Sequence, residues 1–160
     1  VELGLQTIHE RTARYIRRGY DLPVFETAVS ELRRRGIDVI VHTILCLPGE
    51  TKPDMLQTIQ YLNRQDIQGI KLQLLHILKD TDLAEIYASD PFPVPDPQEY
   101  YELLGSCISH LRPDIVIHRL TGDGPKELLT APLWTCNKRQ VLNQLQSYFK
   151  THDIWQGKEY

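Results

Sequence analysis

The sequence is poor in the residues that would declare its chemistry outright. Its three cysteines, Cys46, Cys107 and Cys136, are scattered through 160 residues, and none forms a C-x-x-C pair. An odd number of widely spaced thiols argues against a disulfide framework and predicts reduced, mostly buried side chains. No apolar run approaches the roughly 18 residues that a membrane span needs. No basic segment followed by an apolar core reads as a signal peptide. These absences predict a cytoplasmic protein that makes no membrane contact. An excess of positive charge is lacking too. Eighteen Lys and Arg stand against 21 Asp and Glu, a net charge of −3, so the chain as a whole is no electrostatic trap for nucleic acid. Arg33-Arg34-Arg35 and Lys138-Arg139 are local basic clusters, and solvated helix faces are their simpler reading.

What is present is an alternation of two periodicities. Val1–Leu5 reads as a strand from the first residue, which points to a chain trimmed from a longer one, because termini usually lie in frayed segments. Ile8–Arg17 has helix-compatible spacing. Leu22–Arg35 predicts a second helix with Pro23 in its first turn, an apolar stripe at Phe25, Ala28, Val29 and Leu32, and Gly36 as its stop. Ile37–Leu45 is nearly continuous in apolarity, the pattern of a parallel strand covered on both faces. After the Pro48-Gly49 turn, Thr51 and Asp54 resemble a capping box for a helix to about Gln65. Gly69–Leu75 is the next strand, with Lys71 and Gln73 interrupting it, followed by a short helix near Leu83–Tyr87. The segment from Asp90 to Pro97 is too rich in proline for a helix or a central strand. A helix at 98–111, a strand at 115–119, a turn at 121–125 and a helix at 137–150 complete the series. This alternation predicts an α/β fold with a parallel sheet or barrel.

In such folds ligands bind at the carboxyl ends of strands and on the loops that follow. That rule selects Gln6-Thr7, Leu47-Pro48-Gly49-Glu50, His76–Thr81 and His118–Asp123. Glu2, His42 and Lys71 are polar groups inside strands, costly there unless paired or facing a solvated cavity. Three such strands suggest a shared polar interior; the alternative is that each residue faces water at a strand edge. The residues alone leave both readings open.

The ordered series is more specific than its parts. Val-Glu-Leu-Gly-Leu-Gln-Thr at 1–7, Arg-Arg-Gly-Tyr at 17–20 and His-Thr-Ile-Leu-Cys-Leu-Pro-Gly-Glu-Thr at 42–51 resemble the radical-SAM superfamily. The series is closest to its Elongator-catalytic-subunit-like branch. Lys71–His76 with Lys79–Leu83, His118–Asp123, Asn137-Lys138-Arg139 and Trp155–Lys158 are similar to the bacterial YhcC/YtqA group of that branch. The resemblance implies the later part of a partial (β/α)6 TIM-like barrel with a C-terminal extension. Residues 1–90 would be the later βα units, and residues 91–160 the family-specific extension of strand and helices.

The resemblance also implies the cofactors, S-adenosylmethionine (SAM) and a [4Fe–4S] cluster held by a C-x-x-x-C-x-x-C-type loop. That loop is not in these 160 residues, so no metal ligand and no cluster are expected in this segment, and alone it should be inactive. Carried over by position, Gln6 and Arg18 would contact the ribose and carboxylate end of SAM, His42 its ribose, and Ile44 its adenine. Glu2 would pair a cation or touch SAM, and Lys71 would line the reaction cavity. His76, His118, Arg119 and Asp123 would face substrate, although Arg119 and Asp123 could equally form a structural ion pair. One position departs from the pattern. Cys46 stands where relatives have a Gly that lets backbone approach the cofactor.

The implied chemistry is reductive cleavage of SAM to a 5′-deoxyadenosyl radical that abstracts hydrogen from substrate, with the protein positioning the reactants and excluding water. By resemblance the substrate is a wobble uridine of tRNA, with Arg33, Arg34, Arg35, Lys138, Arg139 and Lys158 as phosphate contacts and an external protein as electron donor. A small molecule such as a porphyrinogen is the second reading, and a non-catalytic binding module the third. An uncovered first strand would invite dimerisation along Val1–Leu5.

Overall fold

Strand periodicity decides the architecture. In the computed structural model, which describes residues 1–122 and 124–160, four strands form one parallel sheet in the order β1-β2-β3-β5. They are β1 (Glu2–Gln6), β2 (Ile40–Leu45), β3 (Gly69–Leu74) and β5 (Val116–Arg119). Helices α1 (Glu10–Tyr15) and α2 (Leu22–Arg34) link the first two strands, and α3 (Lys52–Leu62) the next two. Helices α4 (Asp82–Ser89) and α5 (Pro97–Ser109) lead to the fourth, and α6 (Lys138–Thr151) closes the chain. Crossovers between parallel strands are right-handed almost without exception. Because each new strand is added on the same side, the crossovers pack α2, α3 and α5 on one face of the sheet. The other face stays open, as the inner wall of a barrel segment requires.

Burial follows the two-residue repeat. Val41, Thr43 and Leu45 of β2 and Ile70, Leu72 and Leu74 of β3 are buried toward the helices. There they join Phe25 and Val29 of α2, Met55, Ile59 and Leu62 of α3, and Tyr100, Leu104 and Ile108 of α5 in one core. Each such side chain contributes about 1.5–3 kcal/mol when fully removed from water. Ile40, His42 and Ile44, with Lys71 and Gln73, are only half-buried, on the open face.

The anticipated capping box at α3 forms, with the Thr51 N–H donating to the Asp54 carboxylate at 2.7 Å. The proline-rich stretch is extended, and a second capping box, Asp96 with Glu99, starts α5 at Pro97. An antiparallel pair, β4 (Ile77–Leu78) with β6 (Leu129–Ala131), was not anticipated. Two and three residues give too short a pattern to read. The strand of the segment 91–160, β5, pairs directly with β3.

The tail beginning at Trp155 is a fastening. The Gln156 amide donates to the carbonyls of Arg112 and Ile115 at 2.8 and 2.7 Å, and the Gly157 N–H donates to that of Ile108 at 3.2 Å. Gly157 has a φ of 81°, and a Cβ there would lie 2.4 Å from the Pro113 ring. Gly157→Ala is therefore expected to destabilise the chain by at least the ~1–2 kcal/mol of a left-handed non-glycine residue. A urea titration should show a lower midpoint with an unchanged slope.

Candidate functional site

The carboxyl ends of β1 and β2 carry two unusual backbone conformations. Gln6 has a φ of 59°, and the Thr7 N–H donates back to the Leu5 carbonyl at 2.7 Å, a γ-turn that ends β1 abruptly. The Gln6 side chain folds back over Gly4, where a Cβ would stand 2.4 Å from its Nε2. Cys46, one residue past β2, has a φ of 64°. The position is left-handed, a conformation that favours glycine, and the thiol is accommodated there at a backbone cost. Its N–H donates to Met55 Sδ at 3.1 Å. Burial, with Glu99 and Glu50 nearby, pushes the Cys46 thiol up to about 12, so it stays protonated.

Between these strand ends lies a cavity of ≈ 430 Å³, within the usual range for a small-molecule site. Gln6, Ile44, Leu47 and Leu75 form its floor, Tyr15, Ile16 and Tyr20 one wall, and Leu83 and Ile86 of α4 the other. An ion pair between Arg17 and Asp82 spans the two walls. Gln6 and Ile44 both line this slot, which is apolar with polar groups at its rim. A larger cleft of ≈ 490 Å³ between the Leu47–Lys52 turn and Phe92–Pro95 lies on the helix side of the sheet, away from the open face.

Arg18 has a different task from the one expected of it. It borders the cavity, yet its side chain is 1% exposed. The guanidinium donates to the carbonyls of Leu5, Thr7 and Tyr20 at 3.2, 2.8 and 2.8 Å and to the Glu10 carboxylate at 2.8 Å. That leaves no exposed face for a carboxylate of SAM; Arg18 instead locks the chain where it leaves β1. Tyr20 adds a hydroxyl bond to the Gly4 carbonyl, so the outer edge of β1 is partly covered by its own connection. Burial alone would push the Glu10 carboxyl up and is the largest single influence on it. The Leu22 N–H and Arg18 together outweigh burial and hold the group below its ordinary value. Glu50 of the Leu-Pro-Gly-Glu turn points inward instead, and burial raises its carboxyl despite the Thr7 and Thr12 hydroxyls.

One row below the cavity, the open face carries a polar array. Lys71 Nζ donates to Glu2 Oε1 at 2.5 Å, and His42 Nε2 meets Glu2 Oε2 at 2.8 Å. Gln73 Nε2 lies 3.2 Å from His42 Nδ1. Glu2, His42 and Lys71 are thus in mutual contact on the open face, with the Glu2 side chain still half exposed to water. His42 belongs to this array and not to the cavity lining. Gln73 was passed over as a site residue, although its polarity two positions after Lys71 on a buried strand was the available signal. His118 also faces this side, its ring lying across Gly69, where a Cβ would be 2.6 Å from His118 Nε2. Arg119 stands in register with Lys71.

His76 is packed against Gly122 and accepts from the Gly124 N–H at 3.3 Å, beside the small antiparallel pair. Asp123 lies outside the described residues. Of the basic positions, Arg33 pairs with Asp38 and Asp66, and Arg34 and Arg35 both pair with Glu31. Lys158 reaches Asp153 and lies 4.5 Å from the centre of the Trp155 ring. Among the described residues, no three His, Cys, Asp or Glu side chains gather as a metal site, and no helix is long and apolar enough to cross a membrane.

A parallel sheet with one open face, helices on the other and a cavity at its strand ends define a partial (β/α) barrel. Comparison with known proteins names the family. Residues 67–151 match the Radical_SAM C-terminal domain, and residues 1–62 the Radical SAM superfamily; the chain belongs to the radical-SAM superfamily. It is 39% identical to the uncharacterized protein YtqA of Bacillus subtilis over 158 residues, covering 99% of this chain and 49% of that protein. It is 32% identical to protein YhcC of Escherichia coli, covering 96% and 50%, and 23% identical to Elongator complex protein 3 of Schizosaccharomyces pombe, covering 91% and 28%. The fold matches that of archaeal Methanocaldococcus infernus Elp3 with a TM-score of 0.83 at 16% identity, over 98% of this chain and 37% of that one. The chain therefore spans about half the length of the bacterial relatives it matches.

If Glu10 and Arg18 form the clamp described, Glu10→Gln destabilises the chain by about 1–3 kcal/mol, since it leaves a buried cation without its anion. The folded Glu10 pKa is lowered, so its contribution is present above the ordinary carboxylate range and is lost as pH falls through the folded value. Thermal melts across pH should show the gap between the two proteins closing below about pH 4–5.

Proposed function

We propose that the protein to which this chain belongs is a SAM-dependent radical enzyme acting on a wobble uridine of tRNA. The observation that carries the enzymatic part is the cavity across Gln6, Ile44, Leu47 and Leu75, directly above the polar array. When bound there, SAM supplies a hydrogen-abstracting radical on reductive cleavage. The residues of this chain bind and orient. Ile44, Leu47 and Leu75 shield the adenine from water, Gln6 offers polar atoms at the rim, and Arg18 holds the β1 exit rigid. The three cysteines do not fit a cluster, since among the described residues no three His, Cys, Asp or Glu side chains gather in one place. No step is assigned to a cluster within these residues.

The substrate part is supported by the likeness to the Elongator-related group. It gains no help from Arg33, Arg34 and Arg35, whose charges are already matched by carboxylates. Arg139 in the first turn of α6 is the better candidate for a phosphate contact.

Two outcomes test this. In the whole enzyme, Ile44→Arg should fill the cavity and weaken SAM binding by at least roughly tenfold, about 1.4 kcal/mol, with little change in melting temperature; unchanged affinity counts against the cavity. Nucleoside analysis of tRNA from a gene deletion should show an altered wobble uridine, whereas intact wobble uridines with an accumulated metabolite would favour the small-molecule reading.

A further inference from the structure

We propose that Lys71 and His42 form an oxyanion-binding fork on the open face of the sheet, occupied in this structure by the carboxylate of Glu2 as an internal stand-in for the ligand. The argument is geometric. One carboxylate meets two groups that come from different strands: Oε1 takes Lys71 Nζ at 2.5 Å and Oε2 takes His42 Nε2 at 2.8 Å. Gln73 Nε2 at His42 Nδ1 fixes which ring nitrogen points at the carboxylate: an amide donor on Nδ1 leaves the proton on Nε2. Two donors thus converge on one bidentate acceptor, and register aligns them, since His42 and Lys71 are direct partners across β2 and β3.

The exposures are unequal, and that inequality favours exchange. The Lys71 side chain is 13% exposed and that of His42 26%, while that of Glu2 is 50% exposed. The cost of desolvating the cation is already met by the fold, whereas Glu2 can return to water when another anion takes its place. The contact is made by the Glu2 carboxylate and not by its backbone, so rotation of that side chain away from the fork breaks no sheet hydrogen bond. The bond to Lys71, then that to His42, holds the Glu2 carboxyl below its ordinary value, so the stand-in is an anion at neutral pH.

The ligand group is a carboxylate or a phosphate oxyanion. That it belongs to the substrate, as a carboxylate on the group being modified or as a backbone phosphodiester, rests on the function proposed above. The existence of the fork does not.

The test uses the 160-residue chain, ¹⁵N-labelled, with acetate and dimethyl phosphate as probes and the His42 ring nitrogens as the readout near pH 7.5. In the wild type, Glu2 competes as an intramolecular carboxylate, and the closed pair requires its effective concentration to exceed the probe's dissociation constant; at about ten times that constant, Glu2→Ala binds the probe roughly tenfold more tightly. Glu2→Gln, which keeps the side-chain length, should show the same direction, guarding against a loss of fold. Adding Lys71→Met to Glu2→Ala should abolish the gain. A stronger response to acetate assigns a carboxylate ligand, and a stronger response to dimethyl phosphate a phosphodiester. No gain in either Glu2 variant, or a gain that survives Lys71→Met, overturns the fork. Failure of the parent to bind or cleave SAM would fall on the functional reading and leave this result standing.

Discussion

The two-residue repeat of β2 and β3 is the constraint on which the rest of the molecule depends. Val41, Thr43, Leu45, Ile70, Leu72 and Leu74 all point to the helices and are at most 2% exposed. A register slip of one residue would exchange them for His42, Lys71 and Gln73 and bury a cation among Phe25, Ile59 and Tyr100, which no pairing in that core could offset. The strong apolar face therefore fixes the position of the weak polar one. Glu2, His42, Lys71 and Gln73 are brought together by the core on the opposite side of the sheet.

A second constraint acts where the strands end. Gln6 and Cys46 turn the backbone into the left-handed region directly after β1 and β2, which costs an L-residue about 1–2 kcal/mol. Such strain persists only where its surroundings over-determine it. For Gln6 the surroundings are clear: Arg18 gathers the Leu5 and Thr7 carbonyls from both sides of the turn, and Glu10 neutralises the guanidinium. For Cys46 they are the helix-side packing and the contact to Met55. The cavity exists because both strands stop short and turn aside, leaving Ile44 and Leu75 uncovered between them.

Much of this was legible in the residues. The buried strands announced themselves by segments rich in Ile, Val and Leu, the helices by proline at their starts and by the capping box at Thr51. The polar array was half-visible, because Glu2, His42 and Lys71 violate the apolar pattern of their strands. Their mutual contacts were not, because pairing across strands depends on register, and register is set by core packing far away in sequence. Arg18 shows the opposite failure. Motif position marked it as a ligand contact, but whether an arginine faces a ligand or its own backbone depends on which carbonyls the turn exposes. The tail Trp155–Lys158 likewise looked like a group signature; its amide and glycine are accounted for by the carbonyls of Ile108, Arg112 and Ile115 and the ring of Pro113.

The central claim is that the open face of the sheet is the cofactor and substrate side. A crystal structure of the whole enzyme with S-adenosylhomocysteine bound examines it most directly. The account predicts adenine between Ile44 and Leu75 at the ends of β2 and β3, with Arg18 still bound to Glu10 and the β1 carbonyls. Adenine lodged on the helix side, in the cleft between the Leu47–Lys52 turn and Phe92–Pro95, would contradict it.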